Sequence, residues 1–432
     1  MVLKILRLDR LEKEELLKII NRWKVNLKAY REVVLKVLNG VRRNGDKALI
    51  KYTKIYDGVK LSREKLKVSE EEFLRAYRET PKNLIKVFRD TAKRIRSVHF
   101  KQLPRDKVIK KSNNLLIKQI FKPIDSVGIY IPAGRKVYPS TALMLTIPAK
   151  VAGVKKVVAC TPPRKNGKID PAILVALDMG GADEVYRVGG IQAIGALAYG
   201  TETIPKVNKI VGPGNVYVTV AKMMVYGEVG IDFPAGPTEI MIFADETANP
   251  LYTAMDLASQ AEHDPNSTSI LISTSEDFAN KVKREIVNTL PKIVKKSVLE
   301  TLKRNGQILV ARDVDEAVRF INLFAPEHLE IIAKNPEKIV SMVKNAGLIS
   351  VGSFTPVSVA DYAVGVNHVL PTGGAASFHS GLTVYDFLKP ITVLQLSQKG
   401  LKRFKQVVSL FSEIEGLELH AKSVEVRFTG KW

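Results

Sequence analysis

Apolar residues recur at helical spacing through the first quarter of the chain, and beyond it they gather into short continuous runs. Residues 12–27, 29–44, 47–56, 70–77 and 83–98 place apolar side chains every three or four positions, which predicts amphipathic helices. Residues 107–117 read as a hairpin turning at Ser112-Asn113-Asn114. From residue 126 short apolar strands alternate with helices. Strands fall at 126–131, 154–160, 184–188 and 207–211, and helices at 140–151, 171–179, 191–199 and 216–225. Four such repeats joined by Gly/Pro turns predict a parallel sheet covered on both faces. A second series places strands at 238–244, 268–273, 307–311, 329–333 and 348–351. Its helices fall at 249–262, 277–289, 293–304, 314–324 and 336–345. The tail reads as a Gly-rich stretch at 365–374, a helix at 401–411 and a strand at 424–428.

Composition narrows the class. The 432 residues, 45% hydrophobic and 26% charged, suffice for two or more cores. No apolar run approaches the ~18 residues of a membrane span, and no signal-peptide pattern opens the chain, so a cytoplasmic protein is expected. The single cysteine, Cys160, excludes an internal disulfide framework and a Cys-rich zinc site. It closes the apolar run from Val157 and reads as a packing residue. The net charge of +23 is uneven. Residues 1–120 hold 33 Lys and Arg against 14 Asp and Glu, a net of +19, and the rest of the chain holds 34 against 30, a net of +4. Nucleic-acid binding is one reading of the basic segment. Basic and aromatic residues are not interleaved for stacking, however, and no nucleic-acid motif is present, so a solvated helical surface is the simpler reading.

Candidate chemistry concentrates at 231–263. There Pro234-Ala235-Gly236-Pro237 leads into an apolar strand, and the following helix ends in Gln260-Ala261-Glu262-His263. Gln260 and His263, three apart, share a helical face. Glu327-His328, just after Pro326, pairs two proton-transfer groups at an element boundary. The six histidines are His99, His263, His328, His368, His379 and His420. His, Asp and Gln suit a borderline cation such as Zn²⁺, but HExxH and CxxC are absent and scattered histidines also serve cores. From spacing alone both readings stand. Glycines follow the strands of the first series at Gly134, Gly189-Gly190 and Gly212-Pro213-Gly214, where ligands meet the carboxyl ends of a parallel sheet. GxGxxG is absent. Gln192 and Asn215 open the next helices, where each amide caps or meets a ligand.

Five ordered segments are similar to the histidinol dehydrogenase family. They are IDFPAGPTEIMIFAD…LASQAEH, FAPEHLEI, VGGIQAIGALAYGTETIPKVNKIVGPGN, DYAVGVNHVLPTGGAA and EGLELH. The resemblance implies zinc- and NAD-dependent oxidation of L-histidinol, through L-histidinal, to L-histidine. It implies Gln260, His263, Asp361 and His420 as zinc ligands, His420 coming from the second subunit of an intertwined homodimer. Glu327 and His328 become the acid–base pair. Thr238, His368 and Glu415 join the zinc ligands and the acid–base pair in contacting substrate, and Tyr130, Gln192 and Asn215 contact NAD. Ala133 stands where the family commonly has Gly, and Thr238 where Ser is also common. The implied architecture is two Rossmann-like parallel-sheet α/β domains plus a helical N-terminal arm and a small C-terminal tail domain. Residues 1–28 form the arm, 29–125 with 236–385 the domain carrying metal and catalytic residues, 126–235 the NAD-side domain, and 386–432 the tail reaching the partner subunit. Two other functions remain open: oxidation of a different small polar alcohol, and nucleic-acid binding through the basic segment. No nucleic acid and no membrane are expected as partners.

Overall fold

The computed structural model describes residues 3–22, 27–133 and 136–430. Gly134, and the part of the expected 12–27 helix from residue 23 on to residue 26, lie outside these. Fourteen strands are present among the described residues. The first eight are β1 Ile5–Arg7, β2 Lys107–Ser112, β3 Leu115–Pro123, β4 Ser126–Tyr130, β5 Lys156–Cys160, β6 Glu184–Tyr186, β7 Lys209–Val211 and β8 Gly230–Ile231. The other six are β9 Glu239–Ala244, β10 Thr268–Ser273, β11 Gly306–Val310, β12 His328–Ile332, β13 Leu348–Val351 and β14 Leu388–Leu396.

The strands form three sheets, and two are wound alike. One runs β6-β5-β4-β7-β8 and the other β1-β11-β10-β9-β12-β13, every pair parallel. Counted from β4 and from β9, each has the doubly wound order 3-2-1-4-5, with β1 added at one edge. The expected pair of parallel-sheet α/β folds is therefore present. Strand β9 is buried along its whole length, because helices cover both faces of such a sheet and leave no polar side to alternate with. Each large apolar side chain in it contributes about 1.5–3 kcal/mol by leaving water. The third sheet, β14-β3-β2, is antiparallel.

Contacts divide the chain into one unit of residues 1–102 and 124–387 and another of 103–123 and 388–432. The hairpin β2–β3 thus groups with the C-terminal segment through β14, whereas residues up to 125 were expected with the metal-side domain. The N-terminal helices also differ from the expected boundary. Helix Leu27–Tyr56 buries Val34, Val37, Leu38 and Leu49 in one core with Ile194, Leu197 and Val218, on the sheet of residues 126–235. Amphipathic spacing shows that a helix packs, but not on which sheet.

That helix carries non-helical backbone at Gly45, with φ 48 and ψ −130. Glycine adopts this conformation without steric cost, and the break falls between the helices expected at 29–44 and 47–56. In the second unit the expected strand at 424–428 is instead part of helix Glu418–Thr429, which packs along helix Gln398–Ile414 and buries Val424. β-Branched residues favour strands only where a sheet context exists. No helix among the described residues is long and apolar enough to cross a membrane.

Candidate active site

Helix Pro250–Ala261 follows β9 and returns antiparallel to it, so its end lies at the amino edge of the second sheet. His263 stands just beyond the helix cap, and its N–H reaches the Gln260 carbonyl at 3.2 Å, keeping the two side chains within one turn. Glu327 precedes β12 and His328 opens it. The turn before them holds Ala325 at φ 49, the only non-glycine residue with positive φ among the described residues. Strain of this kind is retained where surrounding structure fixes a functional geometry. The catalytic candidates thus gather at the amino ends of β9 and β12. In the first sheet Tyr130 ends β4, and Gly189-Gly190 and Gly212 follow β6 and β7, all at the carboxyl ends where ligands meet such sheets.

A hydrogen-bonded chain ties the site together. The Gln260 amide donates to Thr238 Oγ1, which donates to Glu327 Oε2 at 2.6 Å; the Glu239 N–H donates to the same oxygen at 2.7 Å. Burial raises the Glu327 carboxyl well above the usual carboxylate range, and the nearby charges of Glu239 and Asp361 add to this, while the Thr238 and Glu239 donors oppose it. His328 Nε2 lies 4.0 Å from Glu327 Oε1. Burial, then the neighbouring His368 and His263, lowers His328 to about 3, so the imidazole is neutral at physiological pH and able to accept a proton. Its Nδ1 is buried without a partner. A buried polar atom left unpaired calls for a ligand or a function.

His368 is also buried. It touches the Asp361 carbonyl with Nδ1 at 2.9 Å and Thr141 Oγ1 with Nε2 at 3.2 Å, and burial lowers it to about 4. Asp361 lies in the last turn of the short helix Val357–Tyr362, and burial raises its carboxyl to about 7. Two sites for ligands follow. Among the described residues no three His, Cys, Asp or Glu side chains of one chain converge as a metal cluster. His263, Asp361 and the Gln260 amide supply three donors of the expected set. An acid raised by burial and a histidine lowered by burial and by Lys136 suit a divalent cation, which takes the first ionised and the second neutral.

The second site is on the first sheet. Tyr130 OH accepts from the Gly190 N–H at 3.1 Å, and Gln192 is fully buried with its Oε1 unpartnered. Asn215 Oδ1 caps helix Val216–Val225 through the N–H groups of Tyr217 and Val218, so its cap role is fulfilled. The preceding turn is pinned by a buried ion pair, Lys222 with Asp232. Lys222 Nζ donates to the Gly212 carbonyl at 2.9 Å, and Asp232 Oδ2 accepts from the Gly212 N–H at 2.7 Å. At Gly212 (φ +124) an added Cβ would meet the Tyr130 carbonyl.

A cavity of about 870 Å³ joins the two sheets, lined by Pro132, Thr141, Pro213 and Asn215 on one side and by Thr238 and His263 on the other. Tyr130 and Gln192 are not among its lining residues. Glu415 and His420 belong to the second unit and are exposed there. Sequence spacing pointed to neither Thr141, which holds His368, nor Arg22. Arg22 pairs with Glu239 at 2.5 Å and lies over the Phe324 ring at 3.3 Å, neutralising an acid beside Glu327. Both partners are far apart in sequence, and only the fold joins them. Cys160 is fully buried and its thiol is raised by burial, as a packing residue should be.

Two doubly wound sheets with a cavity between them, and a buried carboxyl beside a neutral imidazole tied to that cavity through Thr238, define an α/β enzyme equipped for proton transfer. Sequence comparison takes this further. The family profile for histidinol dehydrogenase matches residues 20–428. The histidinol dehydrogenase of Methanocaldococcus jannaschii is 46% identical over 422 residues, 98% of either chain. That of Clostridium acetobutylicum is 46% identical over 393 residues, 91% of either chain. The crystal structure of histidinol dehydrogenase from Elizabethkingia anophelis superposes with a TM-score of 0.93 at 37% identity, covering 99% of this chain and 98% of that one. The chain belongs to the histidinol dehydrogenase family. It is an oxidoreductase, and the basic N-terminal helices are part of an enzyme.

Proposed function

We propose that this enzyme oxidises L-histidinol to L-histidine in two steps, through L-histidinal, with zinc and NAD. The observation that carries the proposal is the buried pair Glu327–His328, tied through Thr238 to Gln260, in which His328 Nδ1 has no protein partner. Bound zinc would hold the amine and imidazole of the substrate, and bound NAD would accept a hydride in each step. Gln260, His263 and Asp361 would hold the metal together with His420 of the partner subunit. The NAD contacts fall to Tyr130, Gln192 and Asn215, and Gln192 Oε1 is an orphaned acceptor that such a ligand satisfies.

His328 takes the hydroxyl proton as the alcohol carbon loses hydride, a role for which a neutral imidazole is suited. Glu327 removes a proton from the water that adds to the aldehyde carbon. Burial holds its carboxyl above the usual glutamate range, which makes the ionised form a stronger base than an ordinary carboxylate. Thr238 and the Glu239 N–H hold the Glu327 carboxylate in place. Thr141 and the Asp361 carbonyl fix the ring of His368 for substrate contact.

A homodimer with shared sites completes the proposal. In the second unit Phe411, Ile414 and Leu419 are 62%, 84% and 70% exposed around Glu415 and His420. An apolar surface of this kind beside functional residues suits burial against a second copy. The enzyme would work in the cytoplasm on a small-molecule substrate. The test of the mechanism separates its steps. His328→Ala should impair oxidation of L-histidinol more than of supplied L-histidinal, and Glu327→Gln the reverse. Equal losses on both substrates in both variants would refute the division of labour.

A further inference from the structure

Helix Leu27–Tyr56 delivers one acidic side chain to the cluster formed by Tyr130 and Gln192. Asp57 follows its last turn, bonded through its N–H to the Thr53 carbonyl at 2.9 Å. One carboxylate oxygen, Oδ2, lies 3.5 Å from the Gln192 amide nitrogen, at the outer limit of a hydrogen bond. Among the described residues no cation pairs with it, and burial lifts the carboxyl to about 6. The group is only half-buried, so an incoming ligand reaches it. A carboxylate in that situation is an acceptor with capacity to spare.

In doubly wound sheets that bind NAD, an acid near the end of the second strand accepts from a ribose 2′-hydroxyl and thereby excludes a 2′-phosphate. Here the second strand in that order is β5, which ends in Ala159-Cys160 and runs on through Thr161-Pro162-Pro163-Arg164 without an acid. The place is nonetheless served in space. Tyr130 ends the neighbouring β4 in register with Cys160 of β5, and its hydroxyl lies within electrostatic reach of the Asp57 carboxylate. The reacting end of the dinucleotide belongs in the cavity with Thr238 and His263. Asp57, Tyr130 and Gln192 are not among the residues that line that cavity.

Resting on the NAD reading above, we infer that Asp57 is the cofactor-specificity residue, accepting the adenosine ribose hydroxyls of NAD and repelling a 2′-phosphate. The acid that usually comes from the sheet is supplied by the N-terminal helix.

The experiment is direct titration calorimetry of NAD⁺ and NADP⁺ on the purified full chain, wild type, Asp57→Asn and Gln192→Leu, without turnover. Wild type should bind NAD⁺ at least about ten-fold more tightly than NADP⁺. Asp57→Asn should weaken NAD⁺ by about ten-fold, the scale of a hydrogen bond to a charged group, and should bring the ratio of the two affinities near one. Gln192→Leu, which removes the protein partner of Asp57, should weaken both nucleotides and preserve the ratio. If Asp57 only positions Gln192, the two variants will match, and the proposal falls. It also falls if Asp57→Asn keeps the wild-type ratio. Wild type that binds neither nucleotide overturns the NAD reading itself. Asp57→Ser, smaller and uncharged, repeats the ratio measurement should the asparagine variant fold poorly.

Discussion

Thr238→Val removes one hydroxyl from the hydrogen-bonded chain and keeps the shape of the side chain. Thr238 Oγ1 donates to Glu327 Oε2 at 2.6 Å and accepts from the Gln260 amide. The variant leaves Glu327 with one donor, the Glu239 N–H at 2.7 Å. A hydrogen bond to an ionised group contributes about 1.5–3 kcal/mol, equivalent to ~1–2 pKa units. Both donors favour the ionised carboxylate, whereas burial opposes it, so losing one moves the carboxyl further up. A base must be ionised to accept a proton. The acid limb of the pH profile for L-histidinal oxidation should therefore shift upward by about 1–2 units in kcat/KM. Thr238→Ser restores the hydroxyl and should return the limb to its wild-type position. An active valine variant with an unshifted limb would refute the reasoning, because Glu327 would then not depend on the Thr238 donor.

Three further outcomes follow. Lys222→Met leaves Asp232 buried without its cation and should cost about 3–5 kcal/mol in urea denaturation; a loss below about 1 kcal/mol would contradict the role of the pair. Burial and the neighbouring Asp256 raise the Glu330 carboxyl to about 8. The folded state thus keeps a proton that the unfolded chain releases near pH 4.3, and this group's contribution falls as pH rises through that window. Glu330→Gln does not titrate and should gain stability relative to wild type between pH 5 and 8, roughly that window; a constant difference would count against it. For the dimer, inactive His420→Ala and His263→Ala proteins, dissociated and reassociated together, should recover up to about a quarter of the sites, and zero recovery with heterodimers present would place His420 in its own subunit's site.

Much of the fold could be read from hydrophobic periodicity, because each strand and helix of a doubly wound sheet is long enough to carry its own pattern. The Gly45 break and the β2–β3 turn were likewise local signals. What escaped depends on tertiary context. β14 was not seen because an exposed antiparallel strand has no continuous apolar run to mark it. Residues 424–428 misled because Val424-Glu425-Val426 alternates like a strand while packing as a helix. The zinc and acid–base candidates came from recognisable motifs, and the structure brings Thr238, Gln260, Glu327 and His328 together. Arg22, Thr141 and Asp57 carry no motif. Their meaning comes from Glu239, His368 and Gln192, each more than 130 residues away along the chain.

The central claim is that one site performs both oxidations. The direct measurement gives zinc-loaded protein a limiting amount of L-histidinol with excess NAD⁺ and quantifies NADH and L-histidine at completion. Two NADH per L-histidine should form, activity should vanish with chelator, and Zn²⁺ should restore it. One NADH per substrate with L-histidinal as the end product, or full turnover by protein verified to be metal-free, would contradict the account.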